Sequence, residues 1–214
     1  MIRELLQLPN LMSIARILLI PFIGYYLMQP GSRATLVSVC LLVAAGITDF
    51  LDGYLARRRG QITDIGTALD PIADKLLAGA LVVLLVLSRG FPVWLAAVIL
   101  GRDILILAAG SVLLRKRQAV TPANLTGKYT FTSIAALLGS YILRFDFGML
   151  LFTYLTVVLI AASLFNYGRL FVIVSQGKMP HTYVDRPFLR FMRVAVSSIV
   201  AAICAYELAV FLFR

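Results

Sequence analysis

Asp49-Phe50-Leu51-Asp52-Gly53-Tyr54-Leu55-Ala56-Arg57, then eight intervening residues, then Gly66-Thr67-Ala68-Leu69-Asp70-Pro71-Ile72-Ala73-Asp74: the reading of the chain turns on this stretch. The 214-residue sequence has ten acidic residues, and five of them, Asp64 included, fall between Asp49 and Asp74. The segments around them are otherwise apolar. A charged side chain at the centre of a membrane helix costs about 2.5–3.5 kcal/mol on insertion scales. Four carboxylates in such helices need a compensating partner, and a divalent cation is the natural one. Asp49 and Asp52 are three residues apart and Asp70 and Asp74 four apart, so each pair shares a helix face. Two helices can then bring four hard oxygen donors toward one point, which suits hard cations such as Mg²⁺.

Composition sets the class. Hydrophobic residues make up 61% of the chain and charged ones 14%, with a mean hydropathy of +0.93. A soluble core of this size could not bury so much apolar surface, so the expected fold is an all-α, polytopic transmembrane bundle. Six core spans are expected, at about Leu11–Met28, Thr35–Arg59, Thr67–Leu87, Val93–Leu114, Leu125–Leu143 and Met149–Val174. A seventh apolar run covers Val194–Phe213. Residues 1–8 read as a short amphipathic stretch on the membrane surface, and Pro21 as a kink in the first span. Turns are expected at Gln29–Ala34 and Gly90-Phe91-Pro92, and polar connections at Arg115–Lys128 and Ser175–Arg193. No soluble domain, internal repeat, low-complexity tract or cleavable signal peptide is read. Residues 1–178 are taken as the membrane domain and 179–214 as a polar connection with an additional helix.

Cys40 and Cys204 sit in apolar runs without framework spacing, so reduced thiols and no disulfide are expected. The net charge of +10 could suggest nucleic acid, but the basic residues cluster at helix ends. Topology and anionic lipid explain that placement better. With a cytoplasmic N-terminus, twelve Lys and Arg fall inside and four (Arg33, Arg89, Arg144 and Arg214) outside, as the positive-inside rule requires. Both ends of the aspartate stretch then face the cytoplasm. Four basic residues remain within or beside spans with no topological role: Arg16, Lys75, Arg102 and Arg169. Arg102 is the most informative, because a mid-span arginine faces a cavity or a partner. Its neighbour Asp103 projects about 100° away on a helix and is not expected to neutralise it automatically.

The pattern D-x2-D-G-x2-A-R-x8-G-x3-D-x3-D, complete at all eight fixed positions, resembles the signature of the CDP-alcohol phosphatidyltransferase family. Leu8-Pro9-Asn10 with Ser13 and Arg16, together with Leu69-Asp70-Pro71-Ile72-Ala73-Asp74-Lys75, is similar to the phosphatidylglycerophosphate synthase branch; Gly127-Lys128 with Thr130 and Thr132 matches it loosely. The resemblance covers about residues 8–175 and leaves the seventh run outside the six-span pattern.

It implies a membrane enzyme that joins CDP-diacylglycerol to an alcohol and releases CMP. Asp49, Asp52, Asp70 and Asp74 would hold two Mg²⁺ or Mn²⁺ ions against the pyrophosphate, with Asp74 also the base for the incoming hydroxyl. Asp52, Gly53, Ala56, Arg57 and Gly66 would contact the CDP-lipid. The small residues could equally serve helix packing, and Arg57 could be a topology anchor. Glycerol 3-phosphate is the implied acceptor, with Arg102, Lys128 and Arg169 as candidates for its phosphate. Structural ion pairing for Arg102 and snorkelling for the other two are the competing readings. Arg102-Asp103 departs from the branch's usual Arg-Glu and occurs in cardiolipin synthases, whose acceptor is phosphatidylglycerol. The family also implies a homodimer in the bacterial cytoplasmic (inner) membrane. A transporter is the rival from another class, since charges inside spans also mark ion pathways, but transporters tend to show repeated halves and none is seen.

Overall fold

The computed structural model describes residues 8–59, 64–115, 125–175 and 187–212, with side chains placed at 10–49, 51, 72–109, 126–173 and 198–212. Among these residues every regular element is a helix: α1 (Leu8–Met28), α2 (Ser32–Arg59), α3 (Asp64–Arg89), α4 (Val93–Arg115), α5 (Leu125–Leu143), α6 (Asp146–Ser175) and α7 (Pro187–Leu212). The amphipathic stretch expected at the N-terminus, and most of the two expected polar connections, lie outside the described residues.

Three described segments are long and apolar enough to cross a bilayer: Asn10–Met28, Ser32–Asp49 and Asp146–Ile173. Large apolar side chains stand exposed along most helices, among them Leu18, Phe22, Val83, Leu87, Ile104 and Val158. In water such surfaces are aggregation-prone, whereas against lipid they cost nothing. Both cysteines are free, Cys40 on an exposed face and Cys204 half-buried.

The chain forms two compact units, Met1–Pro92 and Val93–Arg214. In the first, α1 packs against both α2 and α3. Ile23, Leu27, Ala45, Ala73, Val82 and Leu85 fill the contact. Gly24 lets α1 approach α3, since a Cβ there would stand 3.1 Å from Leu84 Cδ2. Pro21 is accommodated inside the continuous α1. Gly31, at φ +105°, turns the chain into α2, and its carbonyl accepts the Thr35 N–H at 3.2 Å. Gly90, at φ +68°, ends α3; the Phe91 N–H then donates back to Leu85 O at 3.2 Å. These positive φ values are where glycine's missing Cβ is needed. Arg89, in the last turn of α3, donates through Nη2 to Thr35 Oγ1 at 2.8 Å and ties that end to the start of α2.

In the second unit α6 packs against α4 and α5, and α7 packs on α5. The α5–α6 contact is unusually polar for apolar helices. Thr126, Thr130, Ser133 and Ser140 recur at steps of four, three and seven, so they line one face of α5. Asn166 Nδ2 donates to Thr126 Oγ1 at 2.9 Å, Thr130 Oγ1 to Leu159 O at 3.1 Å, and Ser133 shares a 2.8 Å hydrogen bond with Thr156. Between membrane helices such bonds contribute about 0.6–2 kcal/mol each.

The stripe ends at Ser140, whose hydroxyl donates to the buried Glu207 carboxylate of α7 at 2.8 Å. Gly148 makes room for this pair: a Cβ there would overlap the carboxylate and stand 2.6 Å from Ser140 Oγ. Helix α5 closes with Arg144 at φ +54°, the Arg144 N–H reaching Tyr141 O at 3.4 Å and the Phe145 N–H reaching Ser140 O at 3.0 Å. This is a Schellman ending with arginine where glycine is usual.

Five helix starts fall earlier than the hydropathy suggests, those of α1, α2 and α3 by three residues each, at Leu8, Ser32 and Asp64. Helix α6 begins at Asp146 rather than Met149, and α7 at Pro187 rather than Val194. An acid in the first turn complements the helix dipole. Proline at the first position gives up only an N–H that has no intrahelical partner.

Candidate active site

The carboxylates of the aspartate stretch are carried by α2 and α3, both packed against α1, and α1 supplies the residue that joins them. Asn10, Ser13 and Arg16 are spaced by three, so they share a face of α1, and all are buried, Arg16 to 1% exposure. Arg16 is also the only charged residue in α1. Its Nη1 forms an ion pair with Asp49 Oδ1 of α2 at 3.1 Å. The same nitrogen donates to Asp74 Oδ1 of α3. One guanidinium therefore brings together the first and last acids of the stretch, 25 positions apart in the chain. The two carboxylates themselves remain about half exposed, at 50% and 43%.

This donor set fits a hard divalent cation in kind. It consists of carboxylate oxygens only, converging from two helices and half exposed. Among the described side chains no group of three or more acids, histidines or cysteines meets at one point. Asp52, Gly53, Ala56 and Arg57 occupy helical positions on α2, and Gly66 and Asp70 on α3. The side chains of all six lie outside the described residues.

The basic residues of the second unit divide. Arg102 of α4 is buried, 7% exposed. Its Nη1 donates to Asp103 Oδ1 at 2.7 Å and its Nη2 to Ser163 Oγ of α6 at 3.1 Å. Its Nε is buried without a hydrogen-bond partner among the described residues. The expectation that Asp103 would leave Arg102 uncancelled is thus corrected. The backbone directions do diverge, but the long arginine side chain folds back over its own helix to reach the carboxylate.

Gly127, in the first turn of α5, faces the same spot. A Cβ there would stand 3.0 Å from the Tyr167 hydroxyl and 3.6 Å from Arg102 Nη2. Lys128 is exposed. Arg169 is exposed too, its guanidinium 5.8 Å from the centre of the Phe165 ring one turn earlier on α6. Ser163 and Tyr167 were not anticipated. Their only sequence signal is polarity at four-residue spacing in an apolar run.

Comparison with known proteins gives this arrangement a context. The model of the CDP-alcohol phosphatidyltransferase family matches residues 6–167. The chain is 37% identical over 133 residues to the CDP-diacylglycerol–glycerol-3-phosphate 3-phosphatidyltransferase of Rickettsia bellii, covering 61% of this chain and 72% of that protein. It is 42% identical over 106 residues to the enzyme of the same name from Pseudomonas fluorescens, covering 48% and 54%. Similarity extends to a probable CMP-forming cardiolipin synthase of Drosophila melanogaster, 41% identical over 111 residues, covering 51% of this chain and 34% of that protein. The chain thus spans about a third of the fly protein and about half of the Pseudomonas one. The family match covers the aspartate stretch and the helix that carries Arg16, and the chain belongs to the CDP-alcohol phosphatidyltransferase family.

Proposed function

We propose that this chain transfers the phosphatidyl group of CDP-diacylglycerol to an alcohol and releases CMP, with glycerol 3-phosphate as the acceptor. The observation that carries the reading is the convergence of Asp49 and Asp74 on one point from a complete eight-residue motif. In the reaction the acceptor oxygen bonds to the phosphorus that bears diacylglycerol. The bond from that phosphorus to the CMP oxygen breaks, and the hydroxyl proton passes to Asp74. CMP leaves with the electron pair of the broken bond.

Asp49, Asp52, Asp70 and Asp74 are the residues that would hold divalent ions. When bound, two Mg²⁺ or Mn²⁺ ions supply positive charge to the pyrophosphate and to the oxygens on which negative charge develops. Arg57 orients the diphosphate through its planar fork. Gly53, Ala56 and Gly66 let the nucleotide approach the helix backbones. Arg102, Lys128 and Arg169 are the candidates for the acceptor's phosphate. Of these, Arg102 combines burial with a spare Nε–H.

A second reading, transfer to phosphatidylglycerol as in a cardiolipin synthase, is favoured by the Arg102–Asp103 pair and by the fly relative's name. Purified protein with CDP-diacylglycerol and a panel of radiolabelled acceptors separates the two. CMP release coupled to labelled phosphatidylglycerophosphate is expected. Product from phosphatidylglycerol alone would instead establish the second reading, and no CMP release with any acceptor would remove both.

The reading carries a placement: six core spans plus α7 in a bacterial cytoplasmic membrane, with N-terminus and active site on the cytoplasmic side, and a homodimer as the assembly. Residues 1–178 form the transferase domain, and 179–214 form the connection and additional helix. Single cysteines at positions 58 and 117 should react with impermeant thiol reagents from the cytoplasmic side, and at 33 and 89 from the outside. The reverse pattern would invert the topology.

A further inference from the structure

Arg16 stands where a divalent ion's ligands meet, and its burial asks for a reason. The residue is the lone charge of an apolar helix, 1% exposed. A charge placed there is tolerated only if it is paired. Asp49 and Asp74 provide the pairing. The converse holds for the acids, because two carboxylates drawn to one point repel unless a cation lies between them. A single nitrogen, Nη1, serves both Oδ1 atoms, one from each neighbouring helix. Oxygens engaged by a guanidinium have fewer lone pairs to give a metal, and the fixed positive charge opposes a second cation at the same place.

We propose that Arg16 is a built-in cation of the carboxylate centre. It holds the oxygens of Asp49 and Asp74 in competition with a divalent ion, and so sets both the stability of the ion-free centre and its affinity for the ion. The inference rests on the divalent-ion reading of these aspartates given above. Arg16 is a positioning residue in this scheme, because it acts through the two acids. Arg16 is itself buried, on the face it shares with Asn10 and Ser13, so the competition is built into α1 rather than left to an exposed side chain. A tight centre would hold its ions whether or not substrate were bound. A centre with a resident cation makes ion binding depend more on the pyrophosphate that arrives with the donor lipid.

The test uses the purified full chain and needs no turnover. Mn²⁺ binding is followed by the paramagnetic resonance of the free ion, and unfolding by intrinsic fluorescence in EDTA and in saturating Mn²⁺. Arg16→Gln should bind Mn²⁺ about tenfold more tightly than wild type, since one opposing charge is gone. It should unfold at a lower temperature in EDTA, and Mn²⁺ should restore most of that loss. Arg16→Lys keeps the charge but carries it as a point charge on a flexible stem rather than on a planar guanidinium. It should bind Mn²⁺ about threefold more tightly than wild type, and it carries the test if the glutamine variant does not fold.

Unchanged or weaker Mn²⁺ binding in the variants overturns the proposal. So does an equal loss of stability with and without Mn²⁺, which would make Arg16 an ordinary structural pair. If wild type binds no Mn²⁺ while releasing CMP, the divalent-ion reading fails and takes the proposal with it. Mn²⁺ binding that is blind to Arg16 defeats the proposal alone.

Discussion

Asp49→Asn, Asp52→Asn and Asp70→Asn should each lower CDP-diacylglycerol-dependent CMP release on the order of a hundredfold to a thousandfold, the scale set by removing one transition-state charge partner. EDTA should do the same to the wild type, and added Mg²⁺ or Mn²⁺ should reverse it. The effect is large because the substitutions remove negative donor oxygens while keeping side-chain shape. Expression and membrane insertion should survive. In Asp49→Asn the Arg16 guanidinium still has Asp74, so the buried charge is not stranded. The packing of α1 on α2 and α3 also rests on Ile23, Leu27, Val82 and Leu85, which the substitution does not touch. Undiminished turnover in metal-free buffer would sink the mechanism.

Arg16 shows how far the sequence can be read and where it stops. Its position in an apolar run marked it as a charge without a topological role, and its spacing from Asn10 and Ser13 was visible as part of the family resemblance. That its partners are Asp49 and Asp74 was not visible. Pairing between α1, α2 and α3 is tertiary, and nothing local in the α1 sequence points to one acid over another. The aspartate stretch itself was legible because helical spacing is a local property: three and four residues put acids on one face whatever surrounds them. The helices were legible for the same reason, through long apolar runs, and α5 was placed at Leu125–Leu143 as observed.

What escaped was the second unit's polar seam. Thr126, Ser133 and Ser140 were given no role and Thr130 only a place in a loose resemblance, yet each finds a partner on a neighbouring helix. Glu207 could have been questioned from sequence alone, since a lone acid in an apolar run is expensive. Its answer lies in the Ser140 hydroxyl and the notch at Gly148. That notch also explains why a glycine sits inside the first turn of α6. The early start of α7 had a readable cue in Pro187, but the basic residues Arg190 and Arg193 outweighed it.

Arg102→Gln should raise the KM for glycerol 3-phosphate while barely moving the KM for CDP-diacylglycerol. A charge-assisted hydrogen bond to a phosphate dianion contributes roughly 1.5–3 kcal/mol, about tenfold to a hundredfold in affinity. The structure favours the lower end. Asp103 already engages Nη1 at 2.7 Å and Ser163 engages Nη2 at 3.1 Å, so the arginine must exchange bonds rather than simply gain them. The Arg102–Asp103 pair carries no net charge, which leaves less long-range attraction for the dianion than a bare guanidinium would give. About tenfold is therefore the expected rise. Arg57→Gln should show the opposite split, raising the KM for the CDP-lipid and sparing the acceptor, because its fork is assigned to the diphosphate. The alternative is specific too. If Arg102 only joins α4 to α6 through Ser163, Arg102→Gln lowers the thermal midpoint and weakens both substrates equally, and the acceptor's phosphate is then bound by other residues.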